Sequence, residues 1–249
     1  MSFHGLPCWY ELGAKDADAA QGFYSAVLGW SWRDAGMPGM DYRLALAGEA
    51  MVAGMMPVMG PEQPVAWTLY FAVEGCDATA AQAQGLGAQV IVPPSDIPGT
   101  GRFALLIDPQ GAAFGILQPL PGGTGGAFDQ QKAGHGNWHE LNSPDADAAQ
   151  AFYGALFGWT VPRVHDMGPD MAYRILSRDG LDFGGIAPQP GQPACWTPYF
   201  GTASVAGAVA ALTAAGGSAL HPPMPVPGGA VIVNAADPQG ARFAVVGPA

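Results

Sequence analysis

Two glutamates stand in near-identical company in this chain. Glu11 lies in "WYELGAKDADAAQGFYSAVLGW", which begins at Trp9, and Glu140 in "WHELNSPDADAAQAFYGALFGW", which begins at Trp138. Each sits in the middle of a short strand candidate, in a chain where only 12% of residues are charged. A carboxylate so placed must find a hydrogen-bond donor or shift its pKa. It can then orient a ligand or act as a general acid or base, which makes Glu11 and Glu140 the catalytic candidates. The structural alternative is an ion pair with an arginine of the same copy: Arg43, Arg174 or Arg242. Around the acids stand aromatic rings. Trp9 and Trp138 precede them by two residues, and "WTLYFAV" from Trp67 and "WTPYFGT" from Trp196 contribute Thr68, Tyr70, Thr197 and Tyr199. An aromatic wall with a few polar groups is the composition of a small-molecule pocket, although the same rings can fill the space themselves.

Metal and redox chemistry have less to work with. Of the five histidines, His4, His135, His139, His165 and His221, only His135 and His139 are close in sequence, across a linker and a strand. The three cysteines, Cys8, Cys76 and Cys195, show no CxxC spacing and read as buried reduced thiols. A net charge of −11 with only two lysines, Lys15 and Lys132, excludes a phosphate-tracking surface and hence nucleic acid. No stretch approaches the ~20 apolar residues of a membrane span, and the start lacks a signal-peptide pattern. A cytoplasmic protein, monomeric or homodimeric, is expected.

The elements that position these residues also come twice. Trp9 recurs as Trp138, Trp67 as Trp196, and "DPQGAAFGIL" at Asp108 as "DPQGARFAVV" at Asp237, each 129 residues on. One offset along the whole chain indicates a duplicated domain. The Pro- and Gly-rich stretch from Gln118 to Gly136 has linker composition, so the domains are expected at 1–120 and 134–249, with a linker at 121–133. In each copy a short strand leads to a capped helix, Asp16 to Gly29 in the first. Strands follow, and the pattern then restarts at "WTLYFAV" or "WTPYFGT". The class is α+β, with two βαβββ modules per copy. Phe23, Tyr24 and Trp30, with Phe152, Tyr153 and Trp159, follow helix spacing and read as packing, and "DPQG" reads as turn chemistry.

Paired βαβββ modules, an early Asp followed by "FY…LGW" or "FY…LFGW", and "DPQG" leading into the last strand resemble the vicinal oxygen chelate superfamily, which includes glyoxalase I, extradiol dioxygenases and bleomycin-resistance proteins. The resemblance spans the chain in tandem. It implies two glyoxalase-like domains, each a curved mixed-sheet cup with helices outside. Matching Leu12 to the family's helix-side leucine turns Trp9 and Glu11 into the cup, and strand alternation does the same for Thr68 and Tyr70. Trp138, Glu140, Thr197, Tyr199 and Arg242 follow in the second copy, while His139 points away. The family's metal-ligand positions then fall on Trp9, Thr68, Gly115 and near Met55, and on Trp138, Thr197, Ala244 and Gly185 to Ile186. These cannot serve a divalent ion, apart from weak Thr hydroxyls. The reading is therefore a protein with no metal and no cofactor that binds a small organic molecule, as bleomycin-resistance proteins do. The alternatives are a glyoxalase-like lyase, dioxygenase or hydroxylase-type enzyme using Glu140 or Glu11, or a scaffold whose cups are filled.

Overall fold

Asp16 and Gly29 bracket the first helix as their chemistry requires. The Asp16 side chain accepts from the Ala19 N–H, and Gly29 ends the helix at φ 71°, a left-handed conformation that glycine adopts without strain. Asp145 and Gly158 repeat both devices. The computed structural model describes residues 3–60, 63–122, 125–168 and 171–249. In the first copy, β1 (Pro7–Ala14), α1 (Ala17–Leu28), β2 (Ser31–Asp34), β3 (Arg43–Ala47) and β4 (Ala50–Pro57) form one module. The next module comprises β5 (Ala66–Ala72), α2 (Cys76–Gly85), β6 (Gln89–Ile97), β7 (Gly101–Ile107) and β8 (Ala113–Pro119). The second copy gives β9 (Gly136–Ser143), α3 (Ala146–Phe157), β10 (Val164–Asp166), β11 (Ala172–Arg178) and β12 (Leu181–Pro188). Its last module is β13 (Cys195–Gly201), α4 (Val205–Ala214), β14 (Ser218–Ala219), β15 (Met224–Pro225), β16 (Val231–Ala236) and β17 (Arg242–Gly247). Trp67 and Trp196 thus occupy equivalent strands, β5 and β13.

Each copy makes one mixed sheet, ordered β2-β3-β4-β1-β5-β8-β7-β6 in the first and β10-β11-β12-β9-β13-β17-β16-β14 in the second. The expected α+β class and paired βαβββ modules are present. The copies differ where the second carries "HPPMPVPGG". Where β6 runs unbroken with register shifts, the second copy has only β14 and β15, both paired with β16. Proline offers no N–H to the ladder; the adjacent Pro93 and Pro94 of β6 fall within its register shift between Val92 and Ser95, and the four prolines from Pro222 to Pro227 fall where the second copy's strand is divided.

Close packing groups the chain into two units, each taking one module from each copy. One comprises Met1–Cys8, Leu69–Thr124 and Trp138–Trp196, the other Trp9–Thr68, Gly125–Asn137 and Thr197–Ala249. Their cores are aromatic and alike. In the second unit Trp67 Nε1 donates to the Tyr24 hydroxyl (2.9 Å), which donates to Asp237 (3.1 Å), while Trp30 Nε1 reaches the Gly134 carbonyl (2.7 Å). In the first, Trp196 donates to Tyr153 (2.9 Å), Tyr153 to Asp108 (3.0 Å) and Trp159 to the Gly5 carbonyl (2.7 Å). The "DPQG" turn therefore does more than reverse the chain. Asp237 also caps its own turn, accepting from the Gln239 and Ala241 N–H groups. Gln239 in turn accepts from the Lys15 and Asp16 N–H groups and donates to the Asp16 carbonyl. Gln110 does the equivalent at Asp145. The joining segment is packed rather than loose: Ala127 is buried and Phe128 bridges to Gly136.

Candidate ligand-binding site

Strand alternation sorts β1 into two faces. Tyr10 and Leu12 are fully buried on the helix face, whereas Trp9 and Glu11 are half-buried on the opposite one. In β9, His139 and Leu141 are buried, and Trp138 and Glu140 take the opposite face. Glu11 registers with Gly54 of β4, and Glu140 with Gly185 of β12, so each acid has a glycine beside it on the same face. The gap above each glycine is occupied by a tyrosine. A Cβ built on Gly54 would collide with the Tyr42 ring and hydroxyl, and one on Gly185 with those of Tyr173.

Each tyrosine ties an indole to a carboxylate. Trp9 Nε1 donates to the Tyr42 hydroxyl at 3.1 Å, and that hydroxyl donates to Glu11 Oε2 at 2.8 Å. Trp138 Nε1 donates to the Tyr173 hydroxyl at 2.9 Å, and Tyr173 is hydrogen-bonded to Glu140. Burial holds both phenols far above the usual tyrosine range, and the adjacent carboxylate raises them further. They remain protonated and can only donate to the acid. Trp9 and Glu11 are thus brought together, as are Trp138 and Glu140, by two residues that sequence reasoning did not place in the site.

The arginines expected beside the glutamates are held by other groups or are exposed. Arg43 follows Tyr42 and therefore lies on the other face, where it binds Asp18 (2.6 Å), Asp41 (3.0 Å) and Gln21 (3.0 Å). Arg174 likewise binds Asp147 (2.7 Å) and Gln150 (2.9 Å). Arg242 is exposed at the first residue of β17.

The remaining predicted residues lie on β5 and β13. Thr68 is half-buried and Thr197 buried. Tyr70 is buried and registers with Gly115, where a Cβ would overlap its ring. Tyr199 is buried and registers with Ala244. The histidines make structural contacts. His139 Nδ1 donates to the Phe183 carbonyl at 2.6 Å, and complete burial pushes its pKa down to about 4. His135 Nδ1 donates to the Ala133 carbonyl. Cys8 and Cys76 are buried, and burial raises both thiols, Cys76 to about 11; Cys195 is half-buried.

Family models match both halves. Residues 9–117 match the glyoxalase-like domain, and residues 135–245 match the glyoxalase/bleomycin resistance protein/dioxygenase superfamily. The chain belongs to this superfamily. A protein of Mycobacterium tuberculosis named "Putative glyoxylase CFP32" is 35% identical over 98% of this chain and 95% of its own length. The "Anthracycline biosynthesis protein DauV" of a Streptomyces species is 28% identical over 97% of this chain and 93% of its own. Among solved structures, the Mn(II)-bound glyoxalase from Novosphingobium aromaticivorans superposes with a TM-score of 0.69 at 20% identity, covering 99% of this chain and 83% of that one. The 2,3-dioxygenase LapB from Pseudomonas sp. KL28 gives 0.69 at 15% identity, covering 100% and 94%. These superpositions show the shared vicinal oxygen chelate fold.

The residues of this superfamily member do not fit the metal that some of its relatives hold. Among the described residues, no group of three or more His, Cys, Asp or Glu side chains could hold an ion. Gly115 lies under the Tyr70 ring and Ala244 offers no donor atom. Met55 registers with Leu12 and is buried on the helix face, and the residue opposite is Gly54, covered by Tyr42. No helix among the described residues is long and apolar enough to cross a membrane.

Proposed function

We propose that this glyoxalase-superfamily protein binds a small, largely aromatic organic molecule and does so without a divalent ion. The observation that carries the reading is the duplicated trio of Trp, Tyr and Glu. Each trio gives a half-buried indole face beside a carboxylate held by a permanently protonated phenol. Stacking on the indole supplies affinity, and the carboxylate accepts from a ligand hydroxyl or N–H. The kinship with an anthracycline biosynthesis protein supports a polycyclic phenol as the ligand class.

Titration with the hydroxyanthraquinone emodin tests this. Because Trp138 belongs to a trio, binding is expected to quench tryptophan fluorescence. At ~100 times Kd the ligand adds about 2.7 kcal/mol of stability, a rise in Tm of roughly 5 to 10 °C. Trp138→Ala is expected to lose the shift. No shift with emodin or with other polycyclic phenols would refute the proposal.

An enzymatic reading is favoured by the kinship with a protein named as a glyoxylase. Glu140 or Glu11 would then be the base, since Tyr173 and Tyr42 hold their protons. In that case Glu140→Gln would keep emodin-type binding and lose turnover of the bound compound.

A further inference from the structure

Arginine is scarce in this acidic chain, and most of it is engaged. Among the described residues, five of the seven arginines are bound to an aspartate, and only Arg33 and Arg242 meet no carboxylate. Of these two, Arg33 is tied by register to a Trp–Tyr–Glu trio. It pairs with Leu44 on β3, Leu44 with Gly54 on β4, and Gly54 with Glu11 on β1, so the row lies on the face that carries Trp9 and Tyr42. The next residue, Asp34, pairs with Arg43 on the other face. The Arg33 guanidinium reaches over β3 and donates to Met51 Sδ on β4 (3.0 Å). A thioether is a weak and uncharged acceptor, so this exposed cation lies on the trio's face with no counterion among the described residues.

The second copy holds the same arginine in the same row, and there it has a counterion. Arg163 lies opposite Ile175, whose N–H donates to the Arg163 carbonyl (3.0 Å); Ile175 pairs with Gly185, and Gly185 with Glu140. Arg163 is bound to Asp182, which pairs with Ser177. In the first copy the corresponding pair is Leu46 with Met51. Asp182 and Met51 are therefore equivalent positions. That one exchange leaves an ion pair beside one trio and an uncompensated guanidinium beside the other.

We propose that Arg33 is a specificity-determining residue, through which the first copy selects an aromatic molecule that carries a carboxylate. From Met51 to Gly54 is three residues of strand, about 10 Å at ~3.3 Å each, and the Tyr42 ring covers Gly54. A rigid three-ring acid spans that distance, with its body at the trio and its carboxylate on the planar guanidinium fork. A net charge of −11 repels anions at large, so the selection is local to this arginine. The second copy, whose Arg163 already holds Asp182, gains nothing from the carboxylate. This rests on the small-molecule reading above and adds an anionic group to its ligand.

The experiment compares rhein, an anthraquinone carboxylic acid, with aloe-emodin, in which a hydroxymethyl group replaces the carboxylate. Both are titrated by calorimetry into the wild type, Arg33→Gln, Met51→Asp and Asp182→Met. The wild type is expected to show one tight rhein site per chain, bound roughly tenfold more tightly than aloe-emodin, the order of one charge-assisted hydrogen bond. Arg33→Gln and Met51→Asp should each erase that preference while leaving the affinity for aloe-emodin within about twofold. Asp182→Met, which strips Arg163 of its counterion, should add a second tight rhein site. A preference that survives Arg33→Gln or Met51→Asp, or an Asp182→Met chain that still shows one tight site, overturns the inference. If rhein and aloe-emodin bind the wild type equally, this inference fails alone. If neither binds, the small-molecule reading fails and takes this one with it.

Discussion

A tyrosine hydroxyl held between an indole N–H and a carboxylate has its protonation state fixed by its neighbours. In both trios the phenol accepts from Trp and donates to Glu, and burial with the adjacent negative charge keeps it protonated. The phenol thereby orients the acid, and Arg43 and Arg174 are engaged by other carboxylates. Beside Glu140 in sequence, and on the other face, His139 has the opposite role. Its pKa falls from 6.5 to about 4 because the buried ring is stable only when neutral. The unfolded chain takes up this proton first, so stability is expected to fall as pH drops from about 6.5 to about 4, by about 3 kcal/mol from this residue. Chemical denaturation at a series of pH values checks this. His139→Gln, which keeps a donor for the Phe183 carbonyl, should flatten the profile in that window, and an unchanged profile would assign the acid sensitivity elsewhere.

The repeated helix cassette is an element-scale device. Tyr24 and Tyr153 each join a tryptophan of their own copy to the "DPQG" aspartate of the other, and Gln239 and Gln110 clasp the starts of α1 and α3. Tyr24→Phe would strip the buried Asp237 of one donor and orphan the Trp67 N–H. The expected cost is about 2–4 kcal/mol by denaturant unfolding, while a loss below about 0.5 kcal/mol would show that the link is not structural. Much of this scale was legible in sequence. Asp16, Gly29 and the alternation of Trp9, Tyr10, Glu11 and Leu12 are local signals, and local physics decides them. Tyr42 and Tyr173 recur 131 residues apart rather than 129, as do the adjacent Arg43 and Arg174 expected as the partners. The glutamates' partners escaped because Tyr42 and Arg43 are adjacent and so take opposite faces, and only the strand register shows which one meets the acid. The clasp between the copies joins residues 213 positions apart in Tyr24–Asp237 and 45 apart in Tyr153–Asp108, which no local pattern reports.

For the whole molecule, duplication supplies each packed unit with one module from each copy, so the aromatic core of either unit needs both halves of the chain. It also supplies two Trp–Tyr–Glu trios. Binding that is independent of a divalent ion is the central claim. Its most direct test is calorimetric titration of the full chain with emodin, once after exhaustive treatment with EDTA and once with added Mn(II). The account predicts the same Kd within about twofold in both conditions. Binding that vanishes after EDTA and returns with Mn(II) would contradict it.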